Sequence, residues 1–156
     1  MLVSLDMLQR PLFVYGTLRD TDVLGAVLGS RPDGRNIAPA VAPGYRVVFY
    51  PGRTYPALVA SPGGRAEGAI ILGLSRQDRD LLDAFEGPEY RRAVVPVLVE
   101  GEIHEADGYL PAVPVTLDAE PWSLSRWQLE HKVNVLPDDA TAADEIRGRL
   151  SASRRG

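Results

Sequence analysis

Apolar residues form short runs over much of the chain, a pattern typical of strands. The runs end at glycine or proline, so each of them predicts a strand. The predicted strands are residues 11–15, 38–50, 55–59 and 66–74. Turn-forming residues are expected to interrupt or separate them at Pro43-Gly44, Pro51-Gly52 and residues 61–64. The spacing therefore favours a meander of strands.

A hairpin is predicted around Gly101, from residues 93–100 and 102–109. Apolar residues occupy every second position of the first arm, as expected when one face of a strand is buried. The residues predicted to line the two arms are Val95, Val97, Val99, Ile103 and Tyr109.

Apolar residues recur every three or four positions in other segments, and this spacing predicts helices. The predicted helices are residues 21–28, 75–86, 123–135 and 138–150. Asp20 or Thr21 is expected to cap the first helix, which closes at Gly29. Ser75 is the predicted N-cap of the second, and Gly87 is its predicted stop.

The two C-terminal helices are expected to cover the sheet with one apolar side each. The predicted apolar side of the third helix consists of Leu124, Trp127, Leu129 and Val133, and that of the last helix consists of Ala142, Ala143, Ile146 and Leu150. Trp122 and Trp127 are expected to be core anchors. Residues 151–156 are predicted to be a flexible basic tail.

The length of 156 residues predicts a single domain. Residues 1–10 include a possible N-terminal extension, because Met7 lies just before the first predicted element. These first residues lack the pattern of a secretory signal, and no apolar run reaches membrane-spanning length. A cytoplasmic location without membrane attachment is therefore the expectation.

Composition excludes several kinds of chemistry. A hydrophobic fraction of 45% is ordinary for a globular protein, so a sizeable core can form. The net charge of −4 gives no broad basic surface, which makes nucleic acid a poor candidate partner. The chain has no cysteine, which excludes disulfides, thiolate metal sites and a cysteine nucleophile.

Glu86 is the first candidate for catalysis because of its place at the end of a predicted helix. The unpaired carbonyl groups there repel a carboxylate, and a dry environment would raise its pKa toward neutrality. Such a group suits general acid and base catalysis. The alternative is a solvated glutamate ending an ordinary helix, which is the commoner situation.

The turn from Tyr15 to Asp20 is a candidate anion site. It follows a predicted buried strand and precedes a helix, so its backbone N–H groups can converge on a carboxylate or an oxyanion. The alternative is a plain turn in which Gly16 supplies a positive φ. The turn lacks the glycine and lysine signature of a nucleotide phosphate loop.

Other candidates are weaker. His104 and His131 have no acidic partner at metal-ligand spacing, so no metal site is expected, and His131 is predicted to pack or cap within its helix. No Gly-x-Ser-x-Gly motif occurs, which argues against a serine hydrolase. One of Arg91 and Arg92 could pair with a carboxylate while the other faces solvent, and the alternative is two ordinary surface charges.

Two motifs in the same order resemble the γ-glutamylcyclotransferase-like family, also called AIG2-like. The motifs are Phe13-Val14-Tyr15-Gly16-Thr17-Leu18 and Leu82-Asp83-Ala84-Phe85-Glu86-Gly87, followed by Tyr90-Arg91-Arg92. The resemblance covers about residues 12–110 and extends more weakly to 122–135. It is fairly specific for the fold and less specific for the substrate.

The resemblance implies an α+β fold, a single domain with a mixed, mainly antiparallel sheet curled into a small barrel with a few flanking helices. It implies an enzyme in which the α-amine of a small γ-glutamyl substrate attacks its own γ-carbonyl, releasing 5-oxoproline and an amine or amino acid. No cofactor or metal is required. A γ-glutamylamine cyclotransferase and a non-catalytic ligand-binding or regulatory module remain alternatives, and the oligomeric state is open.

Site residues follow from the same resemblance. Glu86 matches the family's catalytic glutamate, which takes a proton from the α-ammonium group and returns one to the leaving nitrogen. The residues implied to bind substrate are Tyr15, Gly16, Thr17, Leu18 and, with a looser match in spacing, Tyr109. Glu89 is predicted to be a turn residue only.

Overall fold

The computed structural model describes residues 10–30, 36–116 and 118–155, with side chains as far as residue 152. Its five strands are β1 (Leu12–Val14), β2 (Ile37–Phe49), β3 (Pro56–Ile71), β4 (Tyr90–Val99) and β5 (Glu102–Pro111). Its four α-helices are α1 (Thr21–Leu28), α2 (Arg76–Glu86), α3 (Leu124–Glu130) and α4 (Lys132–Arg155), and two 3-10 helices cover Thr17–Arg19 and Gly87–Glu89. Most of the proposed N-terminal extension lies outside these residues.

The strands close into a barrel-like ring in the order β1, β3, β2, β4, β5. The short strand β1 pairs antiparallel with β3 and parallel with β5, while β2–β3 and β4–β5 are long antiparallel pairs. One pairing, Val41 with Leu98, joins β2 to β4 and completes the ring. The expectation of a single α+β domain with a mixed, mainly antiparallel sheet is confirmed.

The hairpin of β4 and β5 forms as predicted, because Glu100 and Gly101 both adopt the positive φ that a tight two-residue turn needs. Its three valines and Tyr109 are buried, and the valines pack inside the ring. Ile103 is an exception. Its side chain is 58% exposed, so the prediction that it lines the buried face is wrong.

The predicted turn at residues 61–64 is also wrong. Strand β3 continues through this segment, so most of the predicted runs 55–59 and 66–74 belong to one strand, which covers Pro56–Ile71. On the neighbouring strand Pro43 pairs with Arg65 and Tyr45 pairs with Ala60, so four residues of β3 stand opposite Gly44 alone. Such a bulge accommodates glycine and proline while the pairing continues on both sides.

The first two helices match their sequence signals. Asp20 caps α1, and Gly29 ends it in the left-handed conformation. Helix α2 begins with a capping box, in which the Ser75 hydroxyl accepts from the Asp78 N–H and the Asp78 carboxylate accepts from the Ser75 N–H. Its C-terminal cap is Gly87, as predicted.

The C-terminal helices differ from the prediction. The helix expected over 123–135 breaks at His131, which is the C-cap of α3, and α4 begins at once with Lys132 and runs to Arg155. Leu129 and Val133 are 85% and 82% exposed. Leu129 lies two positions after Trp127, on the opposite side of α3, and Val133 follows the break. Trp122 and Trp127 are buried in the core, as expected.

Asp20 links α1 to the C-terminal helices. Its buried carboxylate accepts from the N–H groups of Asp22 and Val23, and it also contacts Gln128 at 2.8 Å and Lys132 at 2.9 Å. Burial raises the pKa of Asp20, but these hydrogen bonds lower it more, so the net pKa is below its ordinary value. The stability that this carboxylate contributes is therefore present above the pKa of the unfolded state and is lost as the pH falls.

We expect Asp20→Ala to lower the free energy of unfolding at pH 7 by about 2 kcal/mol, since it removes the cap and the link to Lys132. Denaturant unfolding measures the change. Asp22→Ala is the matched control, because it removes the other Lys132 partner but not the cap and should cost under about 1 kcal/mol. Equal losses in the two variants would contradict the role of the cap.

No helix in residues 10–30, 36–116 or 118–155 is long and apolar enough to cross a membrane. The cytoplasmic location stays a prediction.

Candidate active site

A cavity of about 570 Å³ lies between the end of β1, the C-terminal end of α2 and one side of α4. The start of β3, the start of β4 and Tyr109 of β5 complete its walls. The six residues that the sequence placed in a site all line this cavity: Tyr15, Gly16, Thr17, Leu18, Glu86 and Tyr109. Two segments about 70 positions apart in the sequence therefore meet in one space.

Glu86 ends α2 at the cavity wall, and Gly87 follows it as the C-cap. Burial raises the pKa of Glu86 to about 8, with Asp139 and Asp83 adding further negative charge nearby. The side chain remains half-buried, because it reaches the cavity while protein atoms surround the rest of it. The residue is therefore not the solvated helix end of the alternative interpretation, and burial is the main cause of the raised pKa.

The turn after β1 folds into a short 3-10 helix. The N–H groups of Arg19 and Asp20 donate to the carbonyls of Gly16 and Thr17, at 3.0 and 2.9 Å. The first N–H groups of a helix have no partner within it, so those of this turn can serve a ligand. An anionic group of a ligand is the natural acceptor.

Gly16 is needed for a different reason from the one expected. Its φ is −120°, so the proposed positive φ is wrong. A Cβ at this position would lie 2.7 Å from Cγ of Pro56, a residue that also lines the cavity. Glycine therefore allows the turn to approach the start of β3 closely.

A chain of hydrogen bonds fixes Tyr109 next to this site. The Tyr109 hydroxyl donates to Oδ1 of Asp83 at 2.7 Å, and Arg92 contacts Oδ2 of the same carboxylate at 3.2 Å. The Tyr15 hydroxyl donates to the backbone carbonyl of Tyr109 at 2.5 Å. Burial, followed by the hydrogen bond to Asp83, raises the pKa of Tyr109 well above its ordinary value, so its hydroxyl keeps its proton. Arg92 is thus the predicted paired arginine, and Arg91 is exposed.

Glu89 was missed as a site residue. It lies in the 3-10 turn after α2, as predicted, but it also lines the cavity. Its carboxylate accepts a hydrogen bond from Tyr55 and forms an ion pair with Arg53 at 2.8 Å. The aromatic rings of Tyr50, Tyr55 and Tyr90 pack against one another beside it. Only the tertiary fold brings these residues together, because they lie before β3 and before or at the start of β4, two strands that each pair with β2. The local sequence therefore held no signal.

Asp139 was also missed. It lies on α4 and lines the cavity wall together with Ala142 and Ile146. Burial raises the pKa of Asp139 to about 6, with a further contribution from Asp138. A signal existed, because Asp139 falls at helical spacing from the predicted apolar side of this helix.

Metal binding finds no support in the described ranges, where no group of three His, Asp or Glu side chains could hold an ion. His131 caps α3, in agreement with its predicted capping role.

Comparisons with known proteins agree on one family. The sequence model of a family described as "Gamma-glutamyl cyclotransferase, AIG2-like" matches residues 12–129. The chain is 33% identical over 138 residues to AIG2-like protein A of Arabidopsis thaliana, covering 83% of this chain and 79% of that protein.

Solved structures have the same fold. A solution structure of an Arabidopsis thaliana protein superposes with a TM-score of 0.62 at 30% identity, covering 83% of this chain and 87% of the other. A structure titled gamma-glutamyl cyclotransferase superposes with a TM-score of 0.53 at 18% identity, covering 65% of this chain and 66% of the other, and it shows the fold alone.

Proposed function

Because the chain belongs to the gamma-glutamyl cyclotransferase, AIG2-like family, we propose that it catalyses the cyclisation of a small γ-glutamyl compound to 5-oxoproline. The observation that carries the proposal is Glu86, a carboxyl group with a pKa of about 8 in the cavity that the β1 turn also lines. A general base works best when its pKa is close to the operating pH. The substrate amine carries the proton that such a base removes.

The reaction needs one group that takes and returns a proton. The Glu86 carboxylate accepts a proton from the α-ammonium group, and the neutral amine attacks the γ-carbonyl carbon, forming the ring C–N bond. Glu86 then protonates the leaving nitrogen as the original amide C–N bond breaks. The ring nitrogen loses its second proton to the same carboxylate, which leaves 5-oxoproline and a free amine or amino acid. The released amine takes this proton from Glu86 and departs as an ammonium group, so the carboxylate is restored.

The rest of the cavity holds the substrate in the attacking geometry. The N–H groups of the turn from Tyr15 to Leu18 bind its carboxylate or carbonyl oxygen. The Tyr109 hydroxyl, which donates its proton to Asp83, accepts a hydrogen bond at the cavity wall. Holding the amine against the carbonyl converts a flexible chain into a near-attack conformer, which can supply a large part of the rate acceleration. Residues of the chain alone carry out every step.

A substrate panel tests the proposal. The purified protein is incubated with γ-glutamyl dipeptides and with γ-glutamylamines, and 5-oxoproline is measured by chromatography. Product from dipeptides supports the general activity, whereas product from γ-glutamylamines alone assigns the narrower one. If these ligands stabilise the protein against unfolding but none of them yields product, the protein is a binding module and not an enzyme.

The pH dependence follows from the raised pKa of Glu86. In the free enzyme this group is protonated below about pH 8 and cannot act as a base. We expect kcat/KM to rise about tenfold for each pH unit below 8 and to level above it, provided that the substrate amine stays protonated. Initial rates between pH 5.5 and 9 measure this rise in kcat/KM, and a value that is already constant from pH 5.5 upward would contradict the role of Glu86.

A further inference from the structure

Four carboxyl groups lie in or beside the cavity, and two of them already have cationic partners. Asp83 pairs with Arg92, and Glu89 pairs with Arg53. In the described part of the chain, neither Glu86 nor Asp139 forms an ion pair or a hydrogen bond. The Asp139 carboxylate is therefore a half-buried acid without a partner, and its partial removal from water is costly unless a ligand supplies a counter-charge.

The cavity wall offers no cation for this purpose. No Lys, Arg or His of the described residues lines it. Apart from Thr17, Thr54 and the carboxyl groups, its lining side chains are aromatic or apolar. The two unpaired carboxyl groups come from different helices, α2 and α4, which pack against each other. A positive charge placed in this space must therefore arrive with the ligand.

We propose that Asp139 binds the α-ammonium group of the γ-glutamyl substrate and holds it against Glu86. The inference rests on the proposed function. The amino acid end of such a substrate carries one ammonium and one carboxylate group, and the cavity presents carboxyl groups on α2 and α4 and N–H donors in the β1 turn. Asp139 lies beyond residue 129, outside the segment that the family model matches, so the proposal rests on the structure of this chain alone.

The pKa of Asp139 supports its assignment as the group that binds the ammonium. Asp139, with a pKa of about 6, is ionised at neutral pH, and its charge helps to raise the pKa of Glu86. Among the described residues, Asp139 is the one ionised group near Glu86 that is free to bind an ammonium group, because Asp83 and Glu89 are paired with arginines. The neighbouring phenols stay protonated and carry no charge. Those phenols belong to Tyr15, Tyr90 and Tyr109.

The test compares two ligands that differ only in the ammonium group, γ-glutamyl-alanine and glutaryl-alanine. Binding is measured by calorimetry in the Glu86→Gln background, which prevents turnover. We expect Asp139→Asn to weaken γ-glutamyl-alanine about tenfold or more, the effect of losing a charged hydrogen bond, and to leave glutaryl-alanine unchanged or slightly tighter. Asp139→Glu should recover part of the loss.

Asp138→Asn is the matched control, because it removes the same charge from the exposed neighbouring position, which does not line the cavity. It should leave both affinities unchanged. Equal weakening of the two ligands by Asp139→Asn, or no weakening of γ-glutamyl-alanine, would overturn the proposal.

Kinetics give an independent readout. In the otherwise wild-type enzyme, Asp139→Asn should raise KM more than it lowers kcat and should move the rising limb of the kcat/KM profile to lower pH. The rise in KM is the readout of substrate binding, because loss of the Asp139 charge lowers the pKa of Glu86 whether or not Asp139 contacts the substrate. If no γ-glutamyl substrate yields 5-oxoproline while the ammonium-dependent loss of binding persists, the proposed function fails and the Asp139 contact stands.

Discussion

Glu86→Gln is expected to lower kcat by about two to four orders of magnitude, the usual contribution of a positioned general acid and base. Glutamine has nearly the shape of glutamic acid, so it keeps the cavity intact, but it neither accepts nor returns the proton that the cyclisation moves. The substrate should still bind, because the β1 turn and Asp139 remain. We therefore expect the loss in kcat and only a small change in KM.

The same substitution should stabilise the fold. The pKa of Glu86 is about 8 in the folded protein and near its ordinary value of 4.5 in the unfolded chain. The unfolded chain thus releases this proton first as the pH rises, so stability falls between about pH 4.5 and 8. The cost above pH 8 is of the order of 2 kcal/mol, after allowance for the contact of this side chain with the water of the cavity. Glutamine avoids that cost.

Two measurements on one pair of proteins check both expectations. Activity is followed as 5-oxoproline release, and thermal unfolding is followed at pH 5 and at pH 8.5, where the Tm of Glu86→Gln should exceed that of wild type only at the higher pH. Glu105→Gln is the matched control, because Glu105 is exposed on β5 and does not line the cavity. Full activity in Glu86→Gln would refute the assignment of the base.

The local signals in the sequence were enough to find the two halves of the candidate site. Ser75, Asp78 and Gly87 are cap residues whose preferences act within one turn of helix, so they define α2 and place Glu86 at its end. The glycine after β1 likewise marks the turn. Such features depend on neighbours only a few positions away.

Features that depend on distant pairing were not predictable. Residues 61–64 contain proline and glycine, which favour a turn in isolation, yet pairing with β2 on both sides of Gly44 keeps them in the strand. Pairing with a distant strand thus overrides the local preference of these residues. Leu129 and Val133 were assigned to the apolar side of one helix, but Leu129 faces away from Trp127 and Val133 lies beyond the break, so both are exposed.

Glu89 and Asp139 were not predicted as site residues because their roles also depend on contacts with distant parts of the chain. Glu89 gains its role from Tyr55 and Arg53, which lie more than 30 positions away. Asp139 comes from α4, which reaches the cavity only because that helix packs against α2 and α1. The one local signal was the Asp139 carboxylate on an otherwise apolar side of a helix. Its partial burial in the cavity wall, which the sequence does not show, makes it a candidate site residue.

Gly68→Ala should be the most damaging single substitution in the ring, because β1 and β3 approach each other there without room for a methyl group. A Cβ on Gly68 would lie 2.3 Å from the carbonyl oxygen of Val14 and 2.7 Å from the ring of Phe13. A backbone oxygen cannot rotate aside, so β1 must move away from β3. We expect the free energy of unfolding to fall by about 3 kcal/mol, at the upper end for overpacked cores.

The loss should reach the active site, because β1 leads directly into the turn that begins at Tyr15. A displacement of this turn by about 1 Å relative to Glu86 should lower kcat/KM about a hundredfold, since cyclisation depends on alignment of amine and carbonyl.

Denaturant unfolding measures the loss of stability, and 5-oxoproline release measures the loss of activity. Gly148→Ala is the matched control, because it places the same methyl group on α4 with no atom within 4 Å, and it should stabilise the helix by up to about 1 kcal/mol. If Gly68→Ala unfolds at the wild-type midpoint, close packing of β1 on β3 does not hold the turn in place, and the alignment of the turn with Glu86 must come from the helices instead.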